Sequence, residues 1–182
     1  MMPTRTERLA FWRDEYAIQS FSDLQRLLPF MLSQNDTPRM RVWLTVSAVV
    51  LYAGPFRQRT QVRLAEDEVP AEYRAAHDKI LLHRDKVIAH RDPDAHKKGV
   101  RGNELPIVSK GNDLFIPTTS LAMDDDLAVS LLELVEILIP RLKARTASFI
   151  KKYLPQLLAP GAYLLSLEDN PVEWLRKASS GQ

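Results

Sequence analysis

The chain has 182 residues, 45% of them hydrophobic, with a formal net charge of +2. That length favours one domain with a substantial core, and that hydrophobicity excludes a disordered class. It contains no cysteine, which excludes disulfides, thiol catalysis and cysteine-ligated metals and suits a reducing cytosol.

The N-terminal stretch MMPTRTERLAFW has no apolar core of the kind a secretory signal needs. Thr6 to about Ser20 reads as a first helix with Leu9, Phe11, Trp12 and Tyr16 as its apolar members. Ser22 is placed to cap a second, short helix that Pro29 would kink or end. After a polar loop at SQNDTP, Arg39 to Ala53 reads as a helix that is apolar nearly all round, stopped by Gly54-Pro55. Its longest nearly apolar run, Val42 to Ala53, is too short to span a bilayer and suits a central buried helix. Tyr52 and Phe56 flank the stop and read as packing residues.

The stretch YRAAHDKILLHRDKVIAHRD, Tyr73 to Asp92, is the most informative. Proline at position 70 suits the first turn of a helix, and Asp92-Pro93 suits its end. At 100° per residue, Tyr73, Ala76, Ile80, Leu81, Val87 and Ile88 share one arc, with Arg84 near its middle. A cation in an apolar stripe needs a partner, because an unpaired buried guanidinium costs several kcal/mol, roughly. Beyond lies a polar loop from Asp94 to Asn103, then two short apolar runs around Gly111-Asn112 that read as a hairpin over residues 105–117. Asp124 is placed to cap a last long helix in which Leu127, Leu131, Leu134, Leu138 and Leu142 recur at helical spacing. Pro140 should bend that helix, which continues to Tyr153, and residues 172–177 suggest one more short helix. The sum is an all-α, up-and-down bundle of four to six helices with a small β-hairpin before the last long helix. It forms a single domain over 1–182, with a core at 40–155 and a C-terminal extension at 156–182.

Basic residues cluster at Arg57, Arg59 and Arg63, at Lys97, Lys98 and Arg101, and at Arg141, Lys143, Arg145, Lys151 and Lys152. Such clusters hold polyanions or are simply solvated faces. All four histidines lie between His77 and His96, but at spacings of six, seven and six. On a helix His83 and His90 then stand about 10 Å apart along the axis, so one metal cannot bridge them within a chain. His83-Arg84-Asp85 matches the opening of a kinase catalytic loop, yet the required asparagine position holds His90 and no glycine-rich loop is present. No metal or other cofactor is expected.

The segment Arg84-Asp85-Lys-Val-Ile-Ala-His90 resembles the arginine–polar–histidine motif of the HEPN superfamily, small α-helical domains found in many prokaryotic toxin and phage-defence ribonucleases. The wider string RDKVIAHRD is similar to the abortive-infection branch of that superfamily. The resemblance covers roughly residues 40–155. It implies a cytoplasmic, metal-independent endoribonuclease whose two-fold homodimer brings the arginine and histidine of both chains into one cleft. Arg84 would hold the scissile phosphate, His90 would serve as base or acid, and Asp85 would orient Arg84. Lys86, Arg91 and His83 would hold flanking phosphates of the RNA, tRNA being one candidate. An antitoxin protein would be a possible further partner. The residue types suit the chemistry: imidazole has a pKa near neutral, and guanidinium is a permanent bidentate cation. On an ideal helix Arg84 and His90 point about 120° apart, so one chain alone presents a poor site and a symmetric dimer would repair it.

Each residue also has a plainer reading. Arg84 would pair with Asp85 of a partner chain or with Glu133, His90 would sit at a helix C-terminus, and Arg91 and Lys86 would be solvated. A non-catalytic HEPN-like dimer that binds RNA, nucleotide or a partner protein is the alternative function.

Overall fold

The first helix starts with a reciprocal cap. The Glu7 backbone N–H donates to Thr4 Oγ1 at 3.2 Å, and the Thr4 N–H donates to the Glu7 carboxylate at 2.9 Å. From there α1 runs unbroken over Arg5–Ser33, because Ala17, Phe21, Leu24, Leu28 and Met31 form one continuous buried stripe. This corrects the expectation of two helices split near Ser22 and Pro29. Pro29 sits on the exposed side of α1, where loss of one backbone hydrogen bond does not stop a helix pinned by its apolar face.

The computed structural model describes residues 2–33, 38–58, 62–85, 96–97, 100–101, 108–111, 113–115, 122–154, 162–169, 171 and 173–178. Within them α2 spans Pro38–Ala53, α3 Arg74–Leu82 and α4 Asp125–Tyr153. The protein is all-α, a four-helix bundle with a small antiparallel hairpin before its last helix.

Side-chain ties fix the helix directions. Lys152 and Tyr153 at the end of α4 bind Glu7 at the start of α1, and Arg145 Nε donates to the buried Asp14 at 2.8 Å, so α1 and α4 are antiparallel. Arg41 near the start of α2 donates to the Met31 carbonyl at the end of α1 and also pairs with Asp125. Tyr73 donates to Glu133 at 3.3 Å and Lys79 to Asp124 at 2.8 Å, which sets α3 against α4 in opposite directions. Phe21, Leu24, Tyr52, Ile80, Leu131 and Leu138 meet in the shared core.

α4 begins as expected at Asp124, whose carboxylate accepts from the Leu127 N–H at 2.8 Å, and it reaches Tyr153 with Pro140 on its exposed face. The hairpin pairs β3 (Val108–Lys110) with β4 (Asp113–Phe115), and Gly111 takes φ +66 in its turn, a conformation that favours glycine. Two expectations fall. The polar stretch 94–103 carries an antiparallel pair, β1 (His96–Lys97) with β2 (Val100–Arg101). Where a short helix was expected near 172–177, the described residues form a strand: β6 (Leu175–Lys177) pairs with β5 (Tyr163–Leu165).

That last pair is clasped from α1. The fully buried Arg8 donates to the carbonyls of Pro3, Ser166 and Glu168 at 2.6–2.7 Å, and Arg5 to that of Leu167 at 3.1 Å. Strand pairing there leaves loop carbonyls facing inward, and a guanidinium supplies the donors they need. Among the described residues, no helix is long and apolar enough to cross a membrane.

Candidate active site

Three aromatic rings and a hydrogen bond decide where the motif residues stand. Tyr52, in the last turn of α2, meets His77 of α3 with its hydroxyl 2.8 Å from Nδ1, and both are fully buried. Phe56 lies edge-on to the same imidazole, ring centres 4.6 Å apart. Burial pushes the Tyr52 phenol pKa up and lowers that of His77, so the tyrosine keeps its proton and the imidazole stays neutral. His77 Nε2 has no hydrogen-bond partner among the described residues.

This cluster locks the exit of α2 to the middle of α3. Gly54–Phe56 forms a 3₁₀ turn, closed by the Arg57 N–H on the carbonyls of Ala53 and Gly54 at 3.0 and 3.2 Å. A Cβ at Gly54 would come within 2.9 Å of the Tyr16 hydroxyl oxygen, so any larger residue there displaces the end of that side chain. The turn delivers Arg57 to the far end of α3.

That end differs from the expected helix. α-Helix gives way after Leu82 to a π-helical turn over residues 83–85. Residues 86–92, the remainder of the expected helix, lie outside the described residues. Arg84 lies in this turn with its side chain 37% exposed, whereas Ile80 and His77, one and two turns earlier, are fully buried. Val87 and Ile88, the rest of its expected apolar arc, lie outside the described residues.

Arg84 Nη1 donates to Asp85 Oδ1 of the same chain at 2.8 Å. Glu133 accepts instead from Tyr73. Arg57 Nη2 stands 3.1 Å from Asp85 Oδ2, and its Nη1 lies 3.6 Å from Glu66. The result is a solvent-reachable row, Glu66–Arg57–Asp85–Arg84, with Asp85 between two guanidiniums.

Of the residues singled out from the motif, Arg84 and Asp85 are brought together and His83 is half-buried on the same π turn. His90, Lys86 and Arg91 lie outside the described residues. Sequence reading gave Arg57 only as part of a basic cluster, and nothing in local spacing ties it to Asp85. The third basic cluster is partly neutralised within the chain, since Arg145 binds Asp14 and Glu68 and Lys152 binds Glu7. Among the described residues no group of three or more histidines and carboxylates is disposed to hold a metal.

No family model, curated protein or solved structure matches this chain. The functional reading rests on the residues themselves.

Proposed function

We propose that this chain is a cytoplasmic, metal-independent endoribonuclease of the toxin and phage-defence type, acting as a homodimer. In this reading Arg84 holds the scissile phosphate and neutralises the charge that builds on it. His90 removes the proton of the ribose 2′-hydroxyl as its oxygen attacks phosphorus. The bond to the 5′ oxygen breaks, and the partner copy's imidazole returns a proton to that oxygen. The products are a 2′,3′-cyclic phosphate and a 5′-hydroxyl. Asp85 orients Arg84, while Lys86, Arg91 and His83 hold flanking phosphates of the RNA, tRNA included. An antitoxin protein would restrain the activity.

The observation that carries this reading is the pairing of a solvent-reachable Arg84 with Asp85, inside a helical bundle and inside the string RDKVIAHRD. The homodimer draws support from α2, whose outward side shows Met40, Trp43 and Val50 at 49%, 61% and 55% exposure. Large apolar side chains exposed along one side of a helix are what subunit contacts cover. No charged residue occurs between Val42 and Phe56, so two copies can meet over Trp43 and Val50 without like-charge repulsion, while Arg39 and Arg41 flank Met40 at the other end.

One observation favours the second reading, a non-catalytic dimer that binds RNA, nucleotide or a protein. Asp85 already satisfies two arginines, as a purely structural ion network would. Cleavage of total RNA in EDTA separates the two. Wild type is expected to cut, while Arg84→Ala and His90→Ala each lose about a hundredfold or more with their helical circular dichroism unchanged. Binding without any cutting by wild type would replace the first reading with the second.

A further inference from the structure

We propose that Arg57 and Arg84 together form a two-guanidinium clamp for one RNA phosphate, with Asp85 as the spacer that holds the pair at the right separation. The inference rests on the RNA reading of this site, though not on cleavage.

The geometry starts from Asp85. Its two oxygens are taken by different arginines, Oδ1 by Arg84 at 2.8 Å and Oδ2 by Arg57 at 3.1 Å. A phosphodiester also presents two anionic oxygens on one centre, so guanidiniums spaced by a carboxylate are spaced for a phosphate. Each guanidinium carries five N–H groups and directs one of them at Asp85. With Arg84 37%, Arg57 31% and Asp85 36% exposed, solvent reaches all three side chains.

Charge agrees with that stoichiometry. Two arginines and one aspartate leave a net +1, the complement of a single phosphodiester. Glu66, 3.6 Å from Arg57 and 59% exposed, brings the whole row to zero, so a phosphate would have to displace this looser carboxylate from Arg57.

Arg57 is also built in. Its backbone closes the Gly54–Phe56 turn, Phe56 packs on His77, His77 bonds Tyr52, and the Leu64 N–H ties back to the Pro55 carbonyl at 2.8 Å. A surface arginine whose only task was solubility would need none of this. The buried aromatic cluster thus serves to bring a second cation, 27 residues away in sequence, to the motif arginine.

The test separates binding from cutting. A fluorescent single-stranded RNA with 2′-O-methyl riboses lacks the attacking hydroxyl, and its anisotropy is followed in EDTA across a salt series. Arg57→Gln is expected to weaken binding about tenfold and to lower the slope of log K against log salt by about 0.7, one contact's share on a single strand. Arg57→Lys should restore the slope but not the affinity, because an ammonium cannot fork two oxygens. Arg141→Gln, which removes an equal charge from the exposed face of α4, should change affinity less than Arg57→Gln. Urea midpoints check that each variant is folded.

If Arg57→Gln binds as wild type does, or no worse than Arg141→Gln, the clamp is overturned. If it fails in that way while ordinary RNA is still cut, the ribonuclease reading stands without it. If Arg57→Gln loses binding and wild type cuts nothing, the clamp stands and the ribonuclease reading falls. Failure of wild type to bind RNA removes the clamp.

Discussion

His77 has an odd position for a titratable side chain: zero exposure, one nitrogen on Tyr52, and no described partner for the other. Burial is the main cause of its lowered pKa, and the nearby Asp78 and Glu66 oppose it only partly. A neutral imidazole tolerates this setting; an imidazolium would not. The unfolded chain takes up this proton near pH 6.5, roughly, whereas the native chain does so only at lower pH. Between those values the unfolded state binds more protons. Stability from His77 is therefore complete above about pH 6.5 and is lost as pH falls toward the native pKa. The urea midpoint of wild type should drop across that interval. The double variant Tyr52→Phe/His77→Phe, which removes both polar partners together, should show a shallower drop. Equal slopes in the two proteins would mean that other groups govern the acid limb.

At the scale of elements, what the sequence disclosed depended on whether the signal was local. The start of α4 was legible because an aspartate before an acidic first turn and a leucine repeat is a local code. Its cap is now concrete: Asp124 accepts from the Leu127 N–H, and the Lys79 ammonium holds its carboxyl below the usual range against a smaller effect of burial. Asp124→Ala should cost about 1 kcal/mol in urea unfolding, and Asp124→Asn much less, since the amide oxygen still caps. Equal losses would place the effect in the Lys79 contact instead. The hairpin around Gly111 was legible for the same local reason. Pro29 misled, because its weight as a breaker is local while the stripe that overrides it belongs to the core. The β5–β6 pair was illegible, since it is held by Arg8 and Arg5, about 160 residues upstream. The π turn was illegible too: hydrophobic spacing assumes a constant turn, and a widening at residues 83–85 leaves no mark in the pattern. So Arg84 and Asp85 could be named from the motif, but Arg57 could not. Its link to Asp85 runs through Phe56 and His77, a tertiary contact.

For the molecule as a whole, the row Glu66–Arg57–Asp85–Arg84 lies at the C-terminal end of α2, and this constrains any dimer that shares a composite site. α2 has 16 residues and is about 24 Å long. Along its outer side Met40, Trp43, Ser47 and Val50 recur at three- and four-residue steps, the spacing of a helix–helix seam. Two copies pairing head to tail on that seam would set their Arg84 ends about one helix length apart, too far for one phosphate. A shared site therefore requires α2 to meet its copy with like ends together, about an axis running along the helices. In that arrangement each Val50 faces its own counterpart, whereas head-to-tail pairing on these four positions sets Val50 against Met40 and Trp43 against Ser47. The chain has no native cysteine, so engineered thiols report without background. Val50→Cys is expected to form a disulfide-linked dimer under mild oxidant, since like ends bring its two Cα atoms within the roughly 4.4–6.8 Å that a disulfide needs. Trp43→Glu added to it should abolish the link by placing two carboxylates in the seam. If Val50→Cys stays monomeric and only the Met40→Cys/Val50→Cys pair cross-links, the copies run head to tail, and whatever Arg84 does, it does within one chain.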